Sequence, residues 1–151
     1  MKYIIILILL FQFLYAQKIT VTADKFEAYE NKKISLLRGH VHIQKGEDEI
    51  KADKLIIEFD KNDKPLKYTL TGNVRFEIHT STQNFSGKAR QIIYDPSKKR
   101  YIASGNVVLK EKLSDKLLQG EKIVIDRISG KSSITGRKNR PVKFTFSVDE
   151  K

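Results

Sequence analysis

Hydrophobic and polar residues alternate with a period of two through most of the chain after residue 17. In residues 74–79, Val, Phe and Ile alternate with Arg, Glu and His, and residues 142–149 repeat this arrangement. A period of two places one set of side chains on a core and the other in water, as in a β-strand. Turn-forming residues separate the alternating segments at 61–65, 95–98 and 129–131. The pattern therefore predicts an all-β protein.

The alternating segments recur at a fixed interval. Gly39-His-Val, Gly72-Asn-Val and Gly105-Asn-Val begin three of them, each 33 residues after the one before. A Gly at the same place in each unit predicts a bulge, a tight bend or a positive φ. A second shared element begins at residues 23, 52, 87 and 120, which makes about four copies of one unit. Repeated short antiparallel strands predict a β-sandwich, a jelly roll or a solenoid-like stack.

The first residues have the pattern of a signal peptide. Lys2 precedes an apolar run of about 13 residues, and Ala16 is the small residue after which cleavage is expected. A transmembrane helix needs roughly 20 apolar residues to cross the hydrocarbon core. We therefore expect residues 1–16 to be removed and residues 17–151 to form one secreted domain. A retained membrane anchor is the alternative.

Charge and cysteine content narrow the class of partner. The chain has 151 residues, a formal net charge of +11 and no Cys. The charge favours an anionic partner, whether nucleic acid, acidic lipid head groups or acidic glycan. The secretion pattern, and the lack of a compact basic and aromatic platform, argue against nucleic acid. The absence of Cys excludes both a disulfide and the acylated cysteine of a bacterial lipoprotein.

The candidate catalytic and metal motifs are incomplete. Gly130-Lys131-Ser132 resembles the end of a phosphate-binding loop, but Ile125 stands where the first Gly of that loop is needed. His40 and His42 have the spacing of two ligands on one strand face, without a Cys to complete a site. We therefore predict a protein that is not an enzyme and has no cofactor and no metal.

The ordered repeats resemble the OstA-like, or LptA, family of periplasmic lipopolysaccharide transport proteins. Residues 52–60, 87–95 and 120–126 carry one motif of the resemblance, and the Gly-Asn-Val segments at 72 and 105 carry the other. The resemblance covers residues 17–136, with His in place of Asn after Gly39. It implies an incomplete, twisted β-jelly roll that is V-shaped in cross-section, with a hydrophobic interior for the acyl chains of lipid A.

The resemblance also implies a set of partners and a role. It implies end-to-end joining with copies of the same chain, with an inner-membrane LptC-like protein and with an outer-membrane LptD-like translocon. The expected function is a periplasmic carrier that bridges the inner and outer membranes. Three alternatives stay open: a membrane-anchored LptC-like subunit, a basic β-domain that binds another polyanion, and a glycan-acting enzyme with a β-helical fold.

The inward-facing residues of the predicted strands are the candidates for an acyl-chain groove. Burial of an acyl chain is worth about 0.8 kcal/mol per CH₂, which an apolar lining supplies. The same residues would also fill an ordinary close-packed core, and alternation does not separate the two roles. The groove candidates, with Tyr68 beside them, are Leu55, Ile57, Phe59, Leu70, Val74, Phe76, Ile78, Ile92, Tyr94, Val107, Leu109, Ile123 and Ile125.

Two further features are candidates for partner contacts. Residues 19–22 and 143–148 are expected edge strands, because an open sheet leaves unpaired N–H and C=O groups at its edges. Their candidate contact residues are Ile19, Val21, Phe144 and Phe146. The cluster Arg137-Lys138-Asn139-Arg140 is expected either to meet lipid A phosphates or an acidic partner, or to form a solvated tail.

Overall fold

The computed structural model describes residues 18–79 and 84–149 and shows one antiparallel sheet of ten strands. A 3-10 turn, Glu30–Lys32, joins the second strand to the third. The strands are β1 (Ile19–Thr22), β2 (Lys25–Tyr29), β3 (Ile34–Lys45), β4 (Asp48–Phe59), β5 (Pro65–His79), β6 (Asn84–Asp95), β7 (Arg100–Glu111), β8 (Lys116–Asp126), β9 (Ser132–Thr135) and β10 (Lys143–Thr145). The predicted all-β fold is confirmed.

Two expectations from the sequence concern the membrane: a signal peptide and, as the alternative, a retained membrane anchor. The predicted signal peptide, residues 1–16, lies outside the described residues. Within the part of the chain that is described, no helix is long and apolar enough to cross a membrane.

The strands follow one another in the sheet in nearly the same order as in the chain. Each of β3 to β8 pairs antiparallel with its neighbours in sequence. At one edge, β1 and β2 both pair with β3, at opposite ends of that strand. At the other edge, β9 and β10 divide β8 between them in the same way. Six long strands are therefore flanked on each side by a pair of short ones.

The repeated glycines bend the sheet. Register shifts lie between Arg38 and Val41, and at the corresponding places on later strands. Gly39, Gly72 and Gly105 have φ of +79°, +81° and +86°, and the residue after each is also left-handed. Two successive left-handed residues turn the chain without ending the strand, and only Gly adopts the first of these φ values at little cost. The corner predicted from the 33-residue spacing is confirmed.

The strands are longer than the sequence pattern suggested. The six that carry or face a corner have 11 to 15 residues, because hydrogen bonding to the neighbouring strand resumes after each bulge. Each of β3 to β8 thus contributes to two half-sheets, one on either side of the bend. The first half-sheet includes β2 and β9 at its edges, and the second includes β1 and β10.

Inward side chains of the two half-sheets pack into one core. Val41, Val74 and Val107, just beyond the corners, are at most 1% exposed. Inward residues of both half-sheets pack against the same cluster. The row of cross-strand neighbours in the first half-sheet is Leu37, Leu55, Leu70, Ile92, Ala103 and Ile123, and that in the second is Ile43, Ile50, Phe76, Gly87, Leu109 and Leu118. The fold is an incomplete, V-shaped jelly roll, as predicted.

Carboxylates close the turns at the far end of the first half-sheet. Asp60, Asp95 and Asp126 each accept hydrogen bonds from backbone N–H groups two to four residues later. The Ser97 hydroxyl also donates to Asp95. These bonds lower the pKa of the three carboxyl groups, led by the Lys64 N–H for Asp60, the Ser97 hydroxyl for Asp95 and the Ser129 N–H for Asp126. Such Asx-type turns explain why turn residues stand at the predicted positions.

Candidate functional site

The interior of the V divides into a filled base and a partly open lining. Six of the predicted groove residues lie in the base, each no more than 8% exposed. A side chain so enclosed by protein has no free surface for a ligand, and its role is packing. These six residues are Leu55, Leu70, Val74, Ile92, Val107 and Ile123.

The other seven predicted groove residues keep part of their surface free. Moving away from the bend, the inward side chains become half-buried, because within residues 18–79 and 84–149 no further layer covers the open side of the V. Ile125 is the most open of them at 36% exposure. The half-buried members are Ile57, Phe59, Phe76, Ile78, Tyr94 and Leu109. The structure thus divides the candidates into six enclosed side chains and seven that keep free surface.

One row of this lining crosses the whole second half-sheet. It runs through Val21, Ile43, Ile50, Phe76, Gly87, Leu109, Leu118 and Phe144, one residue from each of eight neighbouring strands. At about 4.8 Å between strands, the row extends roughly 34 Å. All of its members except Gly87 are hydrophobic, and it reaches both edges of the sheet. The row is a continuous apolar strip that is open at each end.

The first half-sheet presents tyrosines at the corresponding depth. The rings of Tyr94 and Tyr101 stack with centroids 4.3 Å apart, and Tyr68 lies 6.0 Å from Tyr94 on the next strand. Burial raises the pKa of Tyr68 and Tyr101 above the ordinary value, so both phenols are neutral near pH 7. This wall therefore offers an aromatic surface with polar hydroxyl tips.

Sequence reasoning missed several lining residues, and four of them show the reason. Ile43 and Leu118 stand at the same level as Phe76. Alternation with His42 predicted the inward side of Ile43 without marking it as a groove residue, whereas the residues around Leu118 alternate too little to fix which side faces inward. Ile50 and Tyr101 begin strands whose facing is set only by pairing with β5 and β6. Cross-strand register is the information that identifies these positions, and a single sequence does not contain it directly.

The two histidines do not form a shared site. His40 occupies the left-handed position after Gly39, and its Nδ1 lies 2.7 Å from Asp24 Oδ2. His42 Nε2 lies 3.0 Å from Glu49 Oε2. The prediction that both imidazoles lie on one regular strand face is wrong, because the bulge inserts His40 into the corner. In residues 18–79 and 84–149, no group of three or more metal-ligating side chains comes together.

The predicted partner edges lie at the two ends of the sheet. Ile19 and Val21 belong to β1, and Phe144 to β10, and all three are exposed. Phe146 follows β10 rather than belonging to it, and its ring lies 5.0 Å from that of Phe144. The segment Arg137 to Arg140 is a tight turn closed by two backbone hydrogen bonds, not a free tail.

Comparison with known proteins agrees with this architecture. Residues 20–131 match the family described as the LptA/(LptD N-terminal domain) LPS transport protein. The crystal structure of LptH, the LptA homologous periplasmic component of the lipopolysaccharide transport device from Pseudomonas aeruginosa, aligns with a TM-score of 0.72. That alignment covers 87% of this chain and 96% of LptH at 19% identity, a level that shows a common fold. No curated protein matches the chain. Because the family match spans most of its length, the chain belongs to the family of LptA and LptD N-terminal-domain lipopolysaccharide transport proteins.

Proposed function

We propose that the chain is a non-catalytic periplasmic carrier that holds the acyl chains of lipopolysaccharide inside the V. The observation that carries this proposal is the apolar strip of the second half-sheet, which crosses eight strands and stays half-open along its length. A soluble protein gains nothing by leaving such a surface in water. Each CH₂ that it covers contributes about 0.8 kcal/mol, so that a bound acyl chain and the strip stabilise one another.

The division of the interior supports binding without a deep pocket. The valines at the bend fill the base, so that an acyl chain lies along the strip and does not enter the core. The tyrosine wall faces the strip and supplies uncharged ring surface on the other side. No bond has to be made or broken for this function, and membership in a family of transport proteins agrees with a carrier.

The proposal extends to end-to-end joining. The strip reaches β1 at one edge and β10 at the other, and in the described part of the chain both edges leave backbone groups unpaired. A second chain that adds its own edge strand would continue the sheet and the strip together. The partners that we propose for these edges are copies of the same chain, an inner-membrane LptC-like protein and an outer-membrane LptD-like translocon.

Capture of the lipid tests the carrier role. A photo-crosslinking residue is placed at Phe76 in one variant and at Ile57 in another, and each is irradiated in the periplasm of growing cells. The matched controls are Arg75 and Glu58, the next residues on the same strands, which face outward. We expect lipopolysaccharide adducts at the two inward positions and none at the controls. Folded protein that gives no adduct at either inward position would overturn the proposal.

The N-terminus of the mature protein tests the location. Cleavage after Ala16 would leave Gln17 as the first residue, which mass spectrometry of the purified protein detects directly. A chain that keeps residues 1–16 and stays in the membrane fraction would instead favour the anchored, LptC-like subunit.

A further inference from the structure

The corners of successive strands form a row on the outside of the bend. His40, Asn73 and Asn106 are all exposed there, each following its corner glycine. We propose that the end of this row nearest β9 and β10 is a binding site for a phosphate-bearing anion, separate from the groove inside the V.

Four cationic side chains line an open depression of the surface at that end. The depression has a volume of about 610 Å³ and is lined by Arg90, Asn106, Arg137, Lys138, Asn139 and Arg140. Six residues therefore supply four positive charges and two amide groups, and no carboxylate is among them. These residues are able to offer guanidinium, ammonium and amide N–H donors to a single anion.

The local structure holds these donors in place. The stem of Arg90 packs against the corner: a Cβ built on Gly105 would lie 2.6 Å from the Cβ of Arg90. The turn from Arg137 to Arg140 is closed by two backbone hydrogen bonds of 2.8 and 3.0 Å. Arg140 donates from Nη1 to Asn106 Oδ1 at 3.1 Å, which ties the turn to the corner. Arg90 and Arg140, held in this way, lose little conformational freedom when an anion binds.

The charge of the cluster is only partly balanced. Arg137 donates to Glu121 Oε1 at 2.8 Å. Among the described residues, no carboxylate lies within 4.0 Å of the charged groups of Arg90, Lys138 or Arg140. Four cations therefore face one carboxylate. A site with an excess of three positive charges attracts an anion of high charge density, as a phosphate monoester is.

The other two corners show that this excess is local. Asp24 lies against Gly39, and Asp53 lies against Gly72, where Arg90 lies against Gly105. Asp24 pairs with His40, and Asp53 accepts a long hydrogen bond of 3.5 Å from Asn73. Of the three equivalent corners, two thus have a carboxylate packed against the glycine and the third has an arginine. The anion site follows from this one exchange of sign together with the turn that packs beside it.

Two sources have the required chemistry. A phosphate on a lipid head group would reach the cluster from a membrane or from the end of a carried molecule, and a free phosphate would reach it from solution. Because the cluster lies outside the bend, either is able to bind while the groove is occupied.

Binding to defined probes tests the site. The purified mature protein is titrated with inorganic phosphate, and separately with phosphatidylcholine vesicles with and without phosphatidic acid. We compare it with the double variant Arg90→Gln/Arg140→Gln and with Arg75→Gln, an exposed arginine on the outer face of β5. Loss of two charge-assisted contacts should weaken binding at least about tenfold, whereas Arg75→Gln should change it less than about twofold.

The outcomes separate the two sources and the alternative. Binding of inorganic phosphate that depends on the cluster identifies a free-phosphate site, and dependence seen only with phosphatidic acid identifies a head-group site. A free-energy loss in the double variant that is no more than twice the loss in Arg75→Gln would overturn the proposal, because the double variant removes two charges and net charge alone would then explain binding. So would equally tight binding to vesicles made anionic with oleate. If the double variant unfolds, Lys138→Gln, at the tip of the turn, replaces it.

Discussion

The ring of Phe76 on β5 lies over Gly87, its antiparallel partner on β6. A Cβ built on Gly87 would lie 2.5 Å from the carbonyl oxygen of Val108, and closer still to Cζ of Phe76. The absence of a side chain at Gly87 therefore leaves the space that the Phe76 ring occupies. The row accommodates this ring because one of its residues has no side chain.

Substitution of Gly87 should destabilise the fold. In Gly87→Ala, the added methyl group meets a backbone oxygen as well as the Phe76 ring, so that rotation of the ring does not relieve the contact. We expect the free energy of unfolding to fall by about 1–3 kcal/mol, measured by urea denaturation. Ser86→Ala, next to it on the same strand, is the control. An unchanged midpoint in Gly87→Ala would show that the strands separate freely here.

Two glycines with nearly the same backbone conformation allow strain and contact to be measured separately. Gly72 has φ of +81° and a built Cβ 2.7 Å from the Cβ of Asp53, whereas Gly130 has φ of +75° and no atom within 4 Å. Both Ala variants should lose about 1–2 kcal/mol from left-handed strain. Gly72→Ala should lose more, because the corner must also open. Equal losses in thermal or urea unfolding would contradict the close packing of the corner.

Acid should destabilise the protein through Glu111. Hydrogen bonds from the Ser114 hydroxyl and from the N–H groups of Ser114, Asn84 and Leu113 lower the pKa of Glu111 from 4.5 to about 2. A carboxyl group whose folded pKa is depressed stabilises the fold above pH 4.5, and this contribution disappears as the pH falls toward 2.

The pH dependence of unfolding measures this contribution. Between pH 4.5 and about 2, the slope of unfolding free energy against pH should be smaller in Glu111→Gln than in the wild type. Glu47→Gln removes a carboxylate from the turn between β3 and β4 and serves as the control. If both variants keep the wild-type slope, Glu111 does not couple folding to protonation.

A charge placed in the strip should abolish lipid capture. Leu109 faces inward on β7, and its neighbour Val108 faces outward on the same strand. In Leu109→Asp, a carboxylate would lose hydration when acyl chains cover it, so that the crosslinking yield at Phe76 should fall at least about tenfold. Val108→Asp should keep the yield. Equal yields in the two variants, with both folded, would place the lipid elsewhere.

Charges at the edges should weaken self-association. Val21 and Phe144 are 40% and 50% exposed at opposite edges, where we propose that copies of the chain meet. Val21→Asp or Phe144→Asp should raise the dissociation constant by about tenfold in sedimentation experiments. Ile128→Asp, in the turn after β8, introduces the same charge at a site with 69% exposure and should have no effect. Similar behaviour of all three would exclude the edges as the interface.

The repeat and its glycines were the most predictable part of the fold. The 33-residue spacing located Gly39, Gly72 and Gly105, and their positive φ values follow from what only Gly adopts readily. Strand length was not predictable, because a bulge looks like the end of a strand in sequence. Alternation also could not distinguish Leu55 from Ile57: both face inward, and only distance from the bend makes one core and the other lining.

The anion site lay beyond prediction for a related reason. Arg137 to Arg140 formed a visible cluster, but Arg90 stands far away in sequence and reaches it because β6, β7 and β8 are adjacent. The charge of the side chain at a corner matters for anion binding only because the sheet brings the corners side by side. Long-range placement of this kind follows from the sheet order, which the repeat indicated without fixing.

The split edges make the molecule modular along one direction only. At each edge of the sheet, two short strands together follow the same bent path as one long strand: β1 with β2, and β9 with β10. The V therefore has the same cross-section from one edge of the sheet to the other. Gaining or losing one 33-residue unit would lengthen or shorten the V by two strands, about 10 Å, without altering its width or depth. Evolution is thus able to adjust the distance that the protein spans independently of the shape of what it holds.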